Sequence, residues 1–155
     1  MKEQNNHKEN IIAEIEVSYR PHIKPSERFK ITSPEDAYQI LLNSWDKSKI
    51  ELVEQFKIIL LNRASRVLGI CTLTTGTIAG TIVDAKQVFS VALKCNATEV
   101  MLSHNHPGGS LIPSNADKEI TRKMRMAGQI LEIKVLDHII VTAEGFYSFA
   151  KEGFF

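Results

Sequence analysis

Residues 98–130, TEVMLSHNHPGGSLIPSNADKEITRKMRMAGQI, decide the fold because a strand pattern, a loop and a helix pattern follow one another directly. The apolar residues of 98–104 predict a short strand, and the Gly and Pro residues of 107–113 indicate a loop. The apolar spacing from about Ser114 to Ile130 predicts a helix. Residues 132–141, EIKVLDHIIV, then have the composition of a further strand.

Two more strand patterns and another helix pattern precede this stretch. Residues 53–61 (VEQFKIILL) and 66–74 (RVLGICTLT) are rich in β-branched residues and leucine, and the polar residues between them predict a hairpin. Residues 84–97 have helical apolar spacing, with Asp84 near the N-cap position. At the other end of the chain, residues 146–149 (FYSF) predict a last strand.

The first part of the chain contains one strong helix start. Ser33 is a good N-cap, Pro34 suits the first helical position, and Asp36 has the spacing of a capping box. Residues 11–19, IIAEIEVSY, predict a strand that leads into a proline-containing loop. Residues 1–10 are charged and amide-rich without apolar periodicity, which is typical of a frayed terminus.

The intermixed order of these elements predicts the fold class. It favours one α/β or α+β domain built on a mixed β-sheet flanked by helices. The 155 residues suit a single domain with a real core, and the sequence contains neither an internal repeat nor a low-complexity linker. We divide the chain into residues 1–30, an N-terminal tail and leading strand, and residues 31–155, the folded domain.

Composition and charge exclude several classes of protein. With 43% hydrophobic and 24% charged residues, the chain is neither a disordered tail nor a disulfide miniprotein. A net charge of +1 provides no overall field that would draw it onto nucleic acid or anionic lipid. Cys71 and Cys95 are too far apart for a CxxC pair, and two free core thiols suit a cytoplasmic protein. No stretch approaches the roughly 18 apolar residues of a membrane span, and the polar start does not resemble a signal peptide.

The sequence HNH at 104–106 contains a close pair of histidines. Residues two apart in a strand point to the same face, roughly 6.6 Å apart along the backbone, so His104 and His106 can converge on one ion. Asp117 adds a carboxylate oxygen farther along the chain. Two nitrogens and one oxygen leave one position open, as in catalytic zinc sites, where the pKa of bound water falls to about 7.

Asp117 also has a role in its own helix. Ser114 and Asp117 have the spacing of a capping box, and an acid in the first turn favours the helix dipole. The apolar stripe through Ile120, Met124 and Leu131 is expected to bring the Asp117 carboxylate inward. Capping and metal binding can therefore coexist at this residue.

A metal hydrolase also needs a general base, and strand parity favours Glu54 for this role. Glu54 shares a face with Phe56, whereas Lys57 lies on the opposite face. A carboxylate on an apolar face is costly unless a partner satisfies it. Glu54 is therefore either a strand-end residue exposed to water or a functional acid–base group. Glu51 and Glu99 are the other candidates.

Glu54 followed by HNHPGGSLIPSNAD at 104–117 resembles the JAMM metalloprotease motif, in which a Glu precedes HxH, seven residues, Ser, two residues and Asp. The flanking blocks VEQFKIILLNRASRVLG, VLDHIIV and FYSFAKEGFF are similar to the RadC-like branch of this JAB/MPN family. The resemblance covers residues 31–155 and is specific because the blocks keep their order. It implies a cytidine-deaminase-like α/β fold with a mixed sheet between helices.

The resemblance also implies roles for individual residues. His104, His106 and Asp117 become the ligands of a zinc ion, Zn²⁺. Glu54 becomes the general acid–base that deprotonates the water, and Ser114 becomes a hydrogen-bond donor to the developing oxyanion. The reaction of the family is hydrolysis of an amide or isopeptide bond, so the implied partner is a peptide or protein substrate.

Two features depart from the family pattern. The typical loop reads HNHPSG, whereas residue 108 is Gly in this chain, which loosens the loop without changing a ligand. Full-length RadC-like proteins carry an N-terminal domain of helix-hairpin-helix type, and residues 1–30 are too few to hold it. We therefore do not expect the DNA binding that belongs to that domain, and the net charge does not support nucleic acid as a partner.

Several other residues have structural explanations. His138, in LDHIIV, is expected to be a hydrogen-bonded core residue, or a residue that contacts a metal ligand, rather than a ligand itself. Lys118 and Arg122 lie on a polar helix face, which is typical of a solvated surface more than of a phosphate-binding one because no aromatic residues are interleaved. Phe154 and Phe155 are expected to pack against the domain or against a second subunit of a homo-oligomer.

Two hypotheses for the function follow. The first is a zinc-dependent hydrolase of the JAMM type that cleaves an amide or isopeptide bond. The second is a non-catalytic module of DNA repair or of a mobile element, in which the metal stabilises the domain and its surface recruits a partner. An open metal site beside Glu54 favours the first, and a fourth protein ligand favours the second. A base deaminase shares the fold but needs HxE and PCxxC patterns, which the sequence lacks.

Overall fold

The structure is a computed structural model, and it describes residue 13, residues 15–76 and residues 83–155. Within these residues the chain forms five strands, three α-helices and one short 3-10 turn. The elements are β1 Gln55–Leu61, β2 Val67–Thr75, β3 Glu99–Asn105, β4 Lys134–Val141, β5 Phe146–Ser148, α1 Pro34–Ser44, α2 Ala85–Lys94, α3 Asn115–Ile130 and the 3-10 turn Pro25–Glu27.

The five strands form one mixed sheet in the order β2-β1-β3-β4-β5. β1 pairs antiparallel with both β2 and β3, β3 pairs parallel with β4, and β4 pairs antiparallel with β5. Helix α3 makes the crossover between the two parallel strands, which a tight turn cannot make. The predicted mixed sheet flanked by helices is confirmed, as is the predicted hairpin of residues 53–61 with 66–74.

All three α-helices begin where the local signals predicted. Ser33, Asp84 and Ser114 are the N-caps, and each forms a complete capping box with the third residue of its helix. Pro34 occupies the first position of α1, as expected from its fixed φ angle. These starts depend on hydrogen bonds between residues three apart, so tertiary contacts are not needed to locate them.

Helices cover both faces of the sheet. On one face α2 and α3 pack over a core that includes Phe56, Ile58 and Leu102, and on the other face α1 packs over Ile59 and Leu61. Strand β1 is therefore buried along its whole length. Successive residues of β1 therefore point alternately into two buried layers, one under α2 and α3 and the other under α1.

Lys57 lies in the layer under α1 and is buried although it carries a charge. Its Nζ donates to the Ser44 carbonyl at 2.8 Å, at the end of α1, and lies 4.6 Å from the centre of the Trp45 ring. Burial lowers the pKa of Lys57 below its usual value. The ammonium group thus satisfies a carbonyl that the helix end leaves without an intrahelical partner.

The prediction of a strand over residues 11–19 is wrong for the residues of this range that the structure describes, 13 and 15–19, which form no strand. Ile15 and Val17 are exposed, and the segment contacts the sheet through Tyr19, whose hydroxyl donates to the Leu68 carbonyl at 2.5 Å. An alternating apolar pattern needs a neighbouring strand to pair with, and this segment reaches β2 through a side chain instead. Residues 1–10 and Gly80, in the predicted loop before α2, lie outside the described residues.

The C-terminal phenylalanines pack against the domain itself, which is one of the two predicted outcomes. The Phe154 ring lies 5.1 Å from that of Phe149, and the guanidinium groups of Arg122 and Arg125 stack on Phe154 and Phe155 at 5.0 and 4.6 Å. These two arginines of α3 therefore hold the end of the chain. None of the helices that the structure describes is long and apolar enough to cross a membrane.

Candidate metal centre

Three predicted ligands converge at the carboxyl end of β3. His104 is on that strand, His106 follows its last residue, and Asp117 is in the first turn of α3. His104 Nε2 lies 2.9 Å from His106 Nε2 and 3.2 Å from Asp117 Oδ1, and His106 Nε2 lies 3.6 Å from Asp117 Oδ2. Two imidazole nitrogens and a carboxylate oxygen are donors typical of transition-metal sites, so this group could hold a metal ion.

The capping box of α3 fixes the position of the Asp117 carboxylate. The Ser114 backbone N–H donates to Asp117 Oδ2 at 2.6 Å, and the Asp117 N–H donates to Ser114 Oγ at 3.1 Å. Oδ1 remains directed at His104. The predicted coexistence of the two roles is therefore possible, because one carboxylate both caps the helix and faces the two imidazoles.

The charges of this cluster are strongly coupled. Burial opposes ionisation of the Asp117 carboxyl, but hydrogen bonds from His104 and His106 outweigh burial and hold its pKa well below the usual range. Asp117 in turn raises the pKa of His106 above its ordinary value, and the negative charge of Glu54 adds to this effect. The Asp117 carboxylate is therefore ionised and can attract a cation.

Each imidazole is oriented by a hydrogen bond on its other nitrogen. His106 Nδ1 lies 2.7 Å from the Ser110 carbonyl oxygen, which can only accept, so this nitrogen donates. His104 Nδ1 lies 2.8 Å from Nε2 of His138. In both rings the outer contact leaves Nε2 facing the common centre, as metal-ligating histidines require.

His138 is a hydrogen-bonded core residue, as predicted. It is wholly buried, its ring stacks on Phe149 with centroids 4.9 Å apart, and its Nδ1 lies 2.6 Å from the Thr121 hydroxyl. Burial lowers the pKa of His138 well below its ordinary value. The imidazole therefore stays uncharged behind His104.

Glu54 immediately precedes β1 and is half-buried. Its carbonyl accepts from the Gly76 N–H at 2.8 Å, at the end of the β1–β2 hairpin opposite the turn. Phe56, two residues later, pairs with His104 of β3. These contacts bring Glu54 to the same end of the sheet as the histidines. Its effect on the pKa of His106 agrees with this position.

The two other glutamates considered as bases differ in position. Glu99 lies at the opposite end of β3 from His104 and accepts from the Ser65 hydroxyl at 3.1 Å. Glu51 is exposed and lines a cleft of about 430 Å³ that also includes His106. This cleft is further lined by Pro107, Gly108, Gly109, Leu111, Thr142, Ala143, Glu144 and Gly145. Through His106, this cleft borders the group that could hold a metal ion.

Asn105, between the two histidines, has a role that the sequence reasoning missed. It is wholly buried, its Nδ2 donates to the carbonyls of Ile50 and Val53 at 2.6 and 2.9 Å, and its Oδ1 accepts from the Gln55 N–H at 2.7 Å. These three bonds tie the segment that carries Glu54 to the end of β3. The available signal was an Asn at the end of the strand, since Asn is disfavoured in strands.

A family profile and several individual relatives were found to be similar to this chain. The sequence profile described as "RadC-like JAB domain" matches residues 31–154. A UPF0758 protein of Flavobacterium johnsoniae is 42% identical over 146 residues, which cover 94% of this chain and 62% of the relative. UPF0758 proteins of Symbiobacterium thermophilum and Caldanaerobacter subterraneus are 34% and 36% identical over 92% and 83% of this chain. The chain spans 60% and 54% of the lengths of these last two relatives.

Proposed function

The chain belongs to the family of RadC-like JAB domains, and from this membership and the geometry of the site we propose that it is a zinc-dependent hydrolase of the JAMM type acting on an amide or isopeptide bond. The observation that carries the proposal is the convergence of His104, His106 and Asp117 beside a half-buried Glu54. A fourth His, Cys, Asp or Glu ligand is not part of this group in the described residues. That composition favours a site with an open position over a purely structural one.

The donor set suits zinc, because two neutral imidazoles and one carboxylate are ligands that Zn²⁺ accepts in catalytic sites. When bound, zinc would supply Lewis-acid chemistry that lowers the pKa of water to about 7 and polarises the substrate carbonyl. His104 and His106 would hold the ion through Nε2, and Asp117 through a carboxylate oxygen. The hydrogen bonds on the outer nitrogens of both histidines support this orientation.

Glu54 is proposed as the general base and then the general acid. Its carboxylate would accept a proton from the attacking water and pass that proton to the leaving amine nitrogen. Its half-buried position and its attachment to the site through the Asn105 bonds support this role. A carboxylate held in one position would lower the entropic cost of reaching the reactive geometry.

Ser114 is proposed as a hydrogen-bond donor to the substrate oxygen that becomes negative during the attack. Its Oγ already accepts from the Asp117 N–H, which leaves the hydroxyl proton to donate elsewhere. Ser114 is exposed at the start of α3, so this proton can reach a bound carbonyl. Stabilisation of that developing charge would add to the effect of the metal.

The proposed substrate is a peptide or protein, because the family resemblance implies amide or isopeptide hydrolysis and the net charge of +1 offers no attraction for nucleic acid. The cleft of about 430 Å³ beside His106 offers room for part of such a substrate. The alternative is a non-catalytic module that the metal stabilises. Measurement of cleavage by the zinc-loaded protein distinguishes it from a hydrolase.

The test compares the wild-type protein with Glu54→Gln and with the control Glu99→Gln, whose carboxylate lies at the opposite end of β3. All three are loaded with zinc, and cleavage of fluorogenic peptide and isopeptide libraries is measured. We expect equal zinc content, wild-type rates for the control, and a loss of at least about 100-fold for Glu54→Gln.

Unchanged cleavage by Glu54→Gln would show that the assigned base is wrong. A wild-type protein that binds zinc and cleaves neither library would favour the non-catalytic module.

A further inference from the structure

Given the proposed zinc site, on which this inference rests, we propose that Thr121 and His138 are positioning residues that fix the tautomer of His104. Neither side chain belongs to the predicted ligand set. Together they form a chain of hydrogen bonds that begins at a backbone carbonyl of α3 and ends at the imidazole of His104. The direction of every bond in this chain follows from which atoms can donate.

The chain begins at Thr121, one helical turn after Asp117. Thr121 Oγ1 lies 2.6 Å from the Asp117 carbonyl oxygen, which can only accept, so the hydroxyl proton is donated there. The same oxygen lies 2.6 Å from His138 Nδ1. Because a hydroxyl has one proton, Oγ1 can only accept from His138, and Nδ1 must therefore carry the hydrogen.

The second step passes through His138. Its imidazole is wholly buried, and its two nitrogens face a hydroxyl and another imidazole rather than a carboxylate. Burial of a charge without a counter-charge is costly, so the ring is neutral and carries one hydrogen, on Nδ1. Its Nε2 is then an acceptor, and His104 Nδ1, 2.8 Å away, must donate to it.

The last step concerns His104 itself. With its hydrogen on Nδ1, the neutral His104 ring keeps Nε2 available for a metal ion, and Nε2 faces His106 Nε2 at 2.9 Å and Asp117 Oδ1 at 3.2 Å. This is the tautomer that can bind a metal at the centre. The opposite tautomer would place a hydrogen where the ion must lie.

The fold brings the side chains of this chain of hydrogen bonds next to one another. β3 and β4 are parallel neighbours, so His138 of β4 lies beside the end of β3 that carries His104. Thr121 and Asp117 are four residues apart and share one face of α3. One helix face thus supplies both a ligand and the anchor that orients another ligand through a second imidazole.

The test uses two substitutions at Thr121 and one matched control. Thr121→Val removes the hydroxyl at nearly constant volume, Thr121→Ser retains it, and Thr98→Val removes a buried hydroxyl that has no hydrogen-bond partner among the described residues. Without the Thr121 hydroxyl, His138 has no acceptor for its Nδ1 hydrogen and can move it to Nε2. His104 would then lose its acceptor and its fixed tautomer.

Two measurements are made on the full chain. In the metal-free proteins, the ¹⁵N spectrum of the imidazoles reports which nitrogen of His104 and His138 carries hydrogen. Competition with a chelator then gives the affinity for zinc. We expect hydrogen on Nδ1 of both rings in the wild-type protein, and a zinc affinity that falls about 10- to 100-fold in Thr121→Val and is retained in Thr121→Ser and Thr98→Val.

A metal-free wild-type protein in which Nδ1 of His104 carries no hydrogen would overturn the inference, whatever the variants do. So would a folded Thr121→Val protein with unchanged zinc affinity. If the wild-type protein binds no zinc, the proposed function is wrong. The chain of hydrogen bonds then has no role in metal binding. The spectrum of the metal-free protein then still decides whether the hydrogen-bond directions are right.

Discussion

Substitution of Asn105 by Leu should destabilise the protein more than its modest change in volume suggests. The side chain is wholly buried and makes three hydrogen bonds to backbone groups of the segment that carries Glu54. Leucine would leave the carbonyls of Ile50 and Val53 and the N–H of Gln55 without this partner. Each buried group left unsatisfied costs about 1–3 kcal/mol.

Burial of the leucine side chain offsets part of this cost, so we expect the free energy of unfolding to fall by about 3–5 kcal/mol. The free energy of unfolding of a native protein is about 5–15 kcal/mol in total, so this loss is a large fraction of the stability. The melting temperature should fall by about 10 °C. Urea denaturation followed by circular dichroism measures the change directly.

The control is Asn62→Ala, which removes another asparagine that accepts from two backbone N–H groups, those of Ala64 and Arg66, in the turn of the β1–β2 hairpin. This turn lies at the end of the hairpin away from Glu54, and the loss should be about 1 kcal/mol. An Asn105→Leu protein no less stable than Asn62→Ala would refute the assignment of Asn105 as the residue that fixes the Glu54 segment.

Two other substitutions test the packing and the charges of the core. Burial raises the pKa of Asp137, so protonation favours the folded state. The wild-type protein should therefore gain stability relative to Asp137→Asn as the pH falls from neutral toward the ordinary aspartate pKa of about 4. Urea titrations over this fall in pH that show a constant difference would contradict this. Gly128→Ala should cost about 1–3 kcal/mol although alanine is the better helix former, because its Cβ would meet the Ile133 carbonyl. Gly69→Ala, where a Cβ meets open space, is the control for the same thermal melts, and equal losses at the two positions would refute the packing argument.

Local signals were enough to predict the helices and the group formed by His104, His106 and Asp117. The capping boxes at Ser33, Asp84 and Ser114 involve residues three apart, and the spacing of two between His104 and His106 follows from strand geometry. Strand parity likewise placed Glu54 on the face of Phe56, which pairs with His104. In each case a short-range rule carries the information.

The features that sequence reasoning missed depend on distant contacts. The apolar pattern of residues 11–19 does not reveal whether another strand is available for pairing. The described part of this segment forms no strand and instead donates a hydrogen bond from the Tyr19 hydroxyl to Leu68 of β2. Asn105 acts on residues about fifty positions earlier in the chain. His138 was predicted to be hydrogen-bonded, but its partner is His104 only because β3 and β4 are neighbours. The order of the strands, which periodicity does not encode, determines both contacts.

The most direct test of the account is the metal content of the protein purified without a metal-affinity column, compared with that of a His104→Ala, His106→Ala double variant. We predict about one zinc per chain in the wild-type protein and none in the variant, because the two imidazoles supply two of the three ligands. Absence of bound metal in the wild-type protein, even after zinc is added to the reduced chain, would contradict the central claim.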